Sequence, residues 1–162
     1  MPATYEPIAT TTLSGTASAI SFSSISNTYT DLRLILVPVM TAAANLYLRF
    51  NSDTGTNYSY TYVYGDGAAA GSGRLTSFSR IQPYVGLSTT PTLVEIDIFS
   101  YAGSTNKSVL MRQSRDLNGS GSTNSLVGLW RNTTAITTVN LDLSTSTFAS
   151  GTTATLYGIK SA

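Results

Sequence analysis

Residues that could do chemistry are few in this chain. Its 162 residues include no histidine and no cysteine, which removes the commonest general base, the commonest metal ligand and every thiolate nucleophile. A Ser–His–Asp triad is impossible without histidine, and neither Lys107 nor Lys160 stands in the S-x-x-K setting of a serine–lysine pair. We therefore predict no catalytic residue, no cofactor and no metal ligand.

The best candidates for acid–base work are Glu95 and Asp97. They lie two apart on one face of a predicted strand, so their carboxylates are roughly 6–7 Å apart, a spacing that glycoside hydrolysis can use. Because they alternate with the apolar residues Val94, Ile96 and Ile98, solvent-facing acids on a half-buried strand explain the pattern better. The glycosidase hypothesis ranks far below the others.

Oxygen-bearing residues at alternate positions could begin a calcium loop. Asn51, Asp53, Gly55 and Asn57 have this spacing, but only one of them is a carboxylate and the later glutamate is missing. A hairpin turn with Asx hydrogen bonds is the favoured interpretation.

Four tyrosines are the most unusual local feature. Tyr58, Tyr60, Tyr62 and Tyr64 share one face of a single predicted strand. Three readings stay open: rings that complete the core near a sheet edge, a protein interface, and a platform for sugar rings. We predict interface contacts at these four tyrosines and at three residues near the N-terminus, namely Tyr5, Pro7 and Ile8.

The charge balance argues against a nucleic-acid partner. The net charge is +1 and only 10% of residues are charged, against roughly 25% in an average domain. The densest cationic patch, Lys107, Arg112 and Arg115, is followed by Asp116 and fits a solvated strand face better than a phosphate site. The start of the chain does not resemble a secretory signal, and the longest apolar run, Leu34–Met40, is too short to span a membrane.

The elements that must position these residues are strands. Apolar residues recur with period two in short runs, separated by Gly, Asn, Asp, Ser and Pro clusters, and helical periodicity is almost absent. We predict a single all-β domain over residues 1–162, an antiparallel two-sheet β-sandwich of ten or eleven short strands. A jelly roll is the preferred topology and an immunoglobulin-like sandwich the second choice.

Three segments carry more specific predictions. Residues 1–13 form an extended N-terminal arm or an edge strand. Asp31–Val39 is apolar on both faces, which predicts a strand covered on both sides that ends near Pro38. Gly65–Gly73 is predicted to be a flexible loop, with the next strand over Phe78–Val85.

Four phrases of the sequence resemble small virion proteins of tailed bacteriophages. They are YEPIATTTL (5–13), YTDLRLIL (29–36), LYLRFNSDTGTNYS (46–59) and LYGI (156–159). Each phrase is a strand with its turn, and none of them identifies a catalytic residue.

The resemblance implies a jelly-roll or related β-sandwich similar to capsid decoration (cement) proteins. It implies a non-enzymatic protein on the outer capsid surface, made in the host cytoplasm, which binds the major capsid protein as a homotrimer and stabilises the shell. The alternative is a carbohydrate-binding receptor module of a tail or head fibre. Under that alternative alone a glycan is a partner.

Overall fold

The chain folds into eleven strands, as a computed structural model describing residues 4–160 shows. No residue in that range is helical. The strands are β1 (Tyr5–Thr12), β2 (Ala19–Phe22), β3 (Asp31–Val37), β4 (Leu46–Phe50), β5 (Tyr58–Gly65), β6 (Ala70–Phe78), β7 (Leu93–Phe99), β8 (Lys107–Asp116), β9 (Gly121–Trp130), β10 (Val139–Leu143) and β11 (Thr153–Ile159).

Two antiparallel sheets hold these strands. The large sheet has the order β1-β11-β3-β7-β8-β9-β5-β6, and the small sheet has the order β2-β10-β4. The predicted all-β class with two antiparallel sheets is confirmed. The jelly-roll topology stays a prediction, because a jelly roll has eight strands in two Greek keys, whereas these sheets hold eight and three strands.

The core lies between the small sheet and one face of the large sheet. The register aligns a single row of side chains across six neighbouring strands, and all of them point towards the small sheet. This row is Leu156, Leu34, Ile96, Met111, Leu126 and Tyr62. Alternate residues of the small sheet form the other side of the core, among them Leu46, Leu48, Phe50, Val139 and Leu141. Period-two alternation in the strands therefore produces the core directly.

Strand β6 corrects two predictions. The predicted flexible loop Gly65–Gly73 instead includes the start of β6, which pairs with β5 along its length. The predicted strand Phe78–Val85 is irregular beyond Phe78, and it touches the small sheet through one isolated bridge between Ile81 and Leu48. Glycine content misled the prediction, because glycine within a strand usually weakens it.

Two tyrosines compensate for the glycines of β6. Gly73 pairs with Tyr62 and Gly71 with Tyr64 across the two strands. Each tyrosine ring occupies the space into which a Cβ of its glycine partner would project. The aromatic side chain thus covers a backbone that has no side chain of its own, a known way of stabilising glycine in a sheet.

Strand β3 corrects a third prediction. Its residues Leu32, Leu34 and Leu36 are buried, and the strand ends directly before Pro38, as predicted. Its other face is not covered, however, because Ile35 is only half-buried and Val37 is exposed.

The N-terminal segment forms an edge strand. Strand β1 pairs with β11 on one side, and its register shifts between Pro7 and Ala9. A proline and a bulge are common on edge strands, because a missing N–H costs nothing on the unpaired side. Residues 1–3 lie outside the described part of the chain, so the prediction of an arm or an edge strand can be compared with the structure only for the residues that follow, of which 5–12 form the edge strand.

Candidate functional site

The outward face of the large sheet is the most extensive candidate surface, and we call it the open face. Eight apolar side chains point outward from it, exposed or half-buried, and no other part of residues 4–160 covers them. They are Ile35, Val37, Val63, Leu93, Phe99, Leu110, Val127 and Leu129. The most exposed are Val63 at 56% and Val127 at 55%. By register they fall into two groups separated by charged residues, and the larger group is centred on the direct pair Leu110 and Val127. Exposed apolar groups of this kind are typical of interaction sites.

The candidate acids Glu95 and Asp97 lie on the open face. Arg33 lies between them, with its Nη2 3.4 Å from Glu95 Oε1 and its Nε 3.4 Å from Asp97 Oδ1. Strand register explains the arrangement, since Arg33 pairs directly with Asp97 and diagonally neighbours Glu95. The two acids therefore share one cation on a flat sheet rather than flanking a cleft.

The predicted interface tyrosines divide into two pairs, and the first pair is a correction. Tyr58 and Tyr60 point into the core and are buried, so they have no surface to offer a partner. Burial raises the pKa of both hydroxyls, that of Tyr60 to about 12. Tyr58 stacks on Trp130 at 6.2 Å between ring centroids. Of the three readings, completion of the core is the one that holds for this pair.

The second pair, Tyr62 and Tyr64, is only half-buried, and Tyr62 packs at the margin of the core. The ring of Tyr84 lies over both, 5.0 Å from Tyr62 and 4.1 Å from Tyr64 between centroids, and within 22° of parallel. We call these three residues the tyrosine stack. A hydrogen bond with the Tyr84 hydroxyl raises the pKa of Tyr64.

The three N-terminal candidates have different surroundings. Tyr5 is exposed and stacks on Tyr157 with 4.7 Å between ring centroids. Pro7 is exposed at the bulge of β1, whereas Ile8 packs against the core. Tyr5 and Pro7 are thus accessible to a partner, and Ile8 is mainly a packing residue.

The loop at residues 51–57 uses its oxygens internally. Asp53 Oδ1 accepts a hydrogen bond from the Gly55 amide, and Asp53 Oδ2 accepts from Asn57 Nδ2 and from Trp130 Nε1. Partial burial raises the pKa of Asp53, but these hydrogen bonds outweigh it and hold the pKa below its ordinary value. The geometry is the Asx turn that the sequence favours.

Lys107 corrects the expected solvated cationic face. Its side chain is fully buried, and Nζ donates hydrogen bonds to the carbonyl oxygens of Gly103, Thr105 and Thr133. Burial lowers its pKa. Because Lys107 points inward and Arg112 outward from the same strand, the cations do not form one surface.

An open groove of about 1040 Å³ lies at one end of the large sheet, between the turns near residues 66 and 119. Its charged groups are Asp66, Arg115 and Asp116. The two carboxylates accept hydrogen bonds from backbone amides of their own turns. Arg115 Nη1 donates to Ser88 Oγ at 2.8 Å. These charges organise the walls of the groove and leave no acid–base pair facing it.

Two buried amides were missed at the level of sequence. Gln113 and Asn124 are each 2% exposed and pair across β8 and β9. The sequence did carry a signal for these buried amides, because each is a polar residue at an inward position of an alternating strand. Tyr84 gave no such signal, because its contact with Tyr64 depends on the path of the irregular segment after β6.

Comparisons with known proteins identify no relative. No protein-family model matches the chain, and no curated protein and no solved structure matches it significantly. Within residues 4–160, no helix is long and apolar enough to span a membrane, and no three His, Cys, Asp or Glu side chains gather where they could hold a metal ion.

Proposed function

We propose that the chain is a non-enzymatic structural protein of a bacteriophage particle, a decoration protein that binds the outer surface of the capsid through its open face. The observation that carries this proposal is the set of uncovered apolar side chains on that face. Ile35 and Val37 make the second half of β3 apolar on both sides, yet the chain itself covers only one. A second covering surface is therefore expected from a partner.

The size of the open face suits a protein partner. Eight strands of about eight residues span roughly 34 Å by 27 Å at ordinary strand spacing and rise. The resulting projected area of about 900 Å² is close to the area of about 800 Å² that one partner contributes to a standard specific interface. The capsid shell is the occupant that we propose.

The charge of the open face also favours a protein surface over nucleic acid. Three arginines lie at outward strand positions, Arg33, Arg74 and Arg112, and four acids do so too, Asp31, Glu95, Asp97 and Asp116. A nearly neutral face offers few contacts for phosphates. Binding that depends on apolar and hydroxyl contacts is only weakly sensitive to salt.

The homotrimer is part of the proposal. Three linked copies bind a symmetric shell with an avidity that exceeds the affinity of one copy. Because the decoration protein binds only the assembled shell, each bound copy stabilises the assembled shell by mass action. Sedimentation equilibrium of the purified protein should give three times the 17.1 kDa chain mass.

Rebinding to stripped capsids tests the proposal. The variant carries Val63→Glu and Val127→Glu, the two most exposed apolar residues of the open face, on β5 and β9, and the matched control carries Val39→Glu. Val39 is 44% exposed but lies in the loop after β3. Wild type and control should cosediment with the capsids, and the double variant should not.

The result that contradicts the proposal is capsid binding by the double variant equal to that of wild type. A double variant that is monomeric without capsids, while wild type is trimeric, would assign the open face to contacts between copies instead. Failure of wild type to bind would remove the decoration role itself.

A further inference from the structure

The position of Tyr84 is unusual for an aromatic side chain. Its ring lies flat over Tyr62 and Tyr64 while 51% of the residue stays exposed. Beneath it, Tyr62 and Tyr64 lie over Gly73 and Gly71. Tyr62 and Tyr64 thus form an aromatic floor on β5 and β6, with their rings tilted 38° to each other, and the Tyr84 ring of the same chain covers both.

The segment that carries Tyr84 is held mainly at its two ends. Ile81 and Leu48 exchange two backbone hydrogen bonds of 2.9 and 3.0 Å, and Leu87 and Ala44 exchange two of 2.8 and 3.0 Å. Between these bridges, residues 82–86 make no backbone–backbone hydrogen bond to any described residue. Moving Tyr84 away from the floor therefore breaks no backbone–backbone hydrogen bond, and the segment is anchored between its ends by buried Pro83 and by the Gly86 carbonyl. A ring held by few bonds opens locally at low cost.

The two buried amides lie directly beside the floor. Asn124 pairs with Tyr64 across β9 and β5, and Gln113 pairs with Asn124 on its other side. Direct cross-strand partners have Cβ atoms about 5 Å apart. Asn124 therefore lies beside a ring that rests on Tyr64, and Gln113 lies one strand further on, next to Asn124.

These amides have unused hydrogen-bonding capacity. Neither Oδ1 nor Nδ2 of Asn124 has a hydrogen-bond partner among residues 4–160, and Gln113 Oε1 has none either. Gln113 Nε2 donates to the Gly86 carbonyl at 3.3 Å, a long bond to the segment that carries Tyr84. Buried amides without partners cost stability, and in native proteins each calls for an explanation.

We propose that the tyrosine floor and the two amides form a carbohydrate-binding site, which Tyr84 caps in the free protein. A pyranose ring has an apolar face of C–H groups and a rim of hydroxyl groups. The face stacks on Tyr62 and Tyr64 in place of the Tyr84 ring. The hydroxyls exchange hydrogen bonds with Asn124 and Gln113, since an amide offers a donor and an acceptor side by side.

The cap makes a distinctive prediction about affinity. Sugar binding requires the open form, so the apparent affinity is reduced by the fraction of molecules in which Tyr84 has moved. Removing the ring by Tyr84→Ala should therefore strengthen binding. If the sugar instead stacked on the exposed face of Tyr84, the same substitution would abolish binding.

Saturation-transfer NMR and calorimetry on the purified protein test the site. The probes are the methyl pyranosides of glucose, galactose, mannose, N-acetylglucosamine and rhamnose. At least one should bind wild type, and Tyr84→Ala should bind it about tenfold more tightly, as expected if the open form is a tenth of the population. Tyr5→Ala, which removes an exposed stacked tyrosine from the edge strand, is the matched control and should bind as wild type does.

Asn124→Leu in the Tyr84→Ala background tests the amide. It should remove binding and raise the midpoint of urea unfolding, because it replaces an unpartnered buried amide with an apolar side chain. Three results would overturn the proposal: no probe binds Tyr84→Ala, Tyr84→Ala binds more weakly than wild type, or Asn124→Leu binds undiminished. The assay contains no capsids, so its failure is separate from failure of the decoration role.

Discussion

Replacement of Tyr58 tests the assignment of this residue to the core. The backbone N–H of Phe50 donates a 3.0 Å hydrogen bond to the Tyr58 hydroxyl, which donates in turn to the Asp53 carbonyl at 3.3 Å. Tyr58→Phe leaves the N–H of Phe50 buried without an acceptor. The expected loss in free energy of unfolding is about 1–3 kcal/mol.

Tyr58→Ser removes the aromatic ring and leaves a hydroxyl that is too close to the backbone to make the same hydrogen bonds. The ring packs between Phe50 at 6.4 Å and Trp130 at 6.2 Å between centroids. Truncating a buried aromatic residue costs about 3–5 kcal/mol, so this variant loses about a fifth or more of the stability of a typical domain.

The assay is equilibrium unfolding in urea, followed by the emission of Trp130. This residue is the single tryptophan of the chain and is buried next to Tyr58. Tyr5→Phe is the control, since Tyr5 is exposed, and it should change stability by less than about 0.5 kcal/mol. A Tyr58→Ser variant as stable as wild type would refute the core assignment.

Three further predictions concern a close contact and two pH ranges. Gly158→Ala places a Cβ inside the ring of Tyr29 and should cost about 2 kcal/mol by thermal unfolding, whereas Gly15→Ala meets open space and should be neutral; equal effects would contradict this packing. The lowered pKa of Asp53 stabilises the fold above about pH 4, the pKa of an unfolded aspartate, and this contribution is lost as pH falls through the folded pKa. Asp53→Asn should therefore narrow the difference in the free energy of urea unfolding between pH 6 and pH 3. An unchanged difference would contradict the hydrogen-bonded carboxylate. The pKa of Tyr60 is raised to about 12, against 10.0 in the unfolded chain. Stability falls as pH rises through this interval, because only the unfolded state releases the tyrosine proton. Tyr60→Phe should make the fall in stability with pH shallower, and an unaltered slope would count against burial of the hydroxyl.

Strands with strict alternation were predictable from the sequence. The predicted runs around Leu48, Ile96 and Leu141 match β4, β7 and β10 closely, because each strand has one buried and one wet face. Strand β6 was not predictable in this way. What holds Gly71 in a strand is the ring of Tyr64 on the neighbouring strand, and no local pattern encodes that contact.

The candidate surfaces were predictable only in part. The tyrosine alternation placed all four rings on one face of β5, but burial of Tyr58 and exposure of Tyr84 depend on where the small sheet stops covering the large one. Lys107 likewise reads as a surface cation, and its burial follows from carbonyl groups brought together by the surrounding loops. Such non-local contacts decide which side chains remain accessible.

The number of copies in each virion tests the proposed decoration role most directly. Under the proposal a phage encodes the chain, and quantitative mass spectrometry of that phage's purified particles compares the chain with the major capsid protein. The decoration role predicts hundreds of copies, comparable with the number of shell subunits. A count of zero, or of a few to some tens, would contradict it, and the latter would place the chain at the tail or at a single vertex.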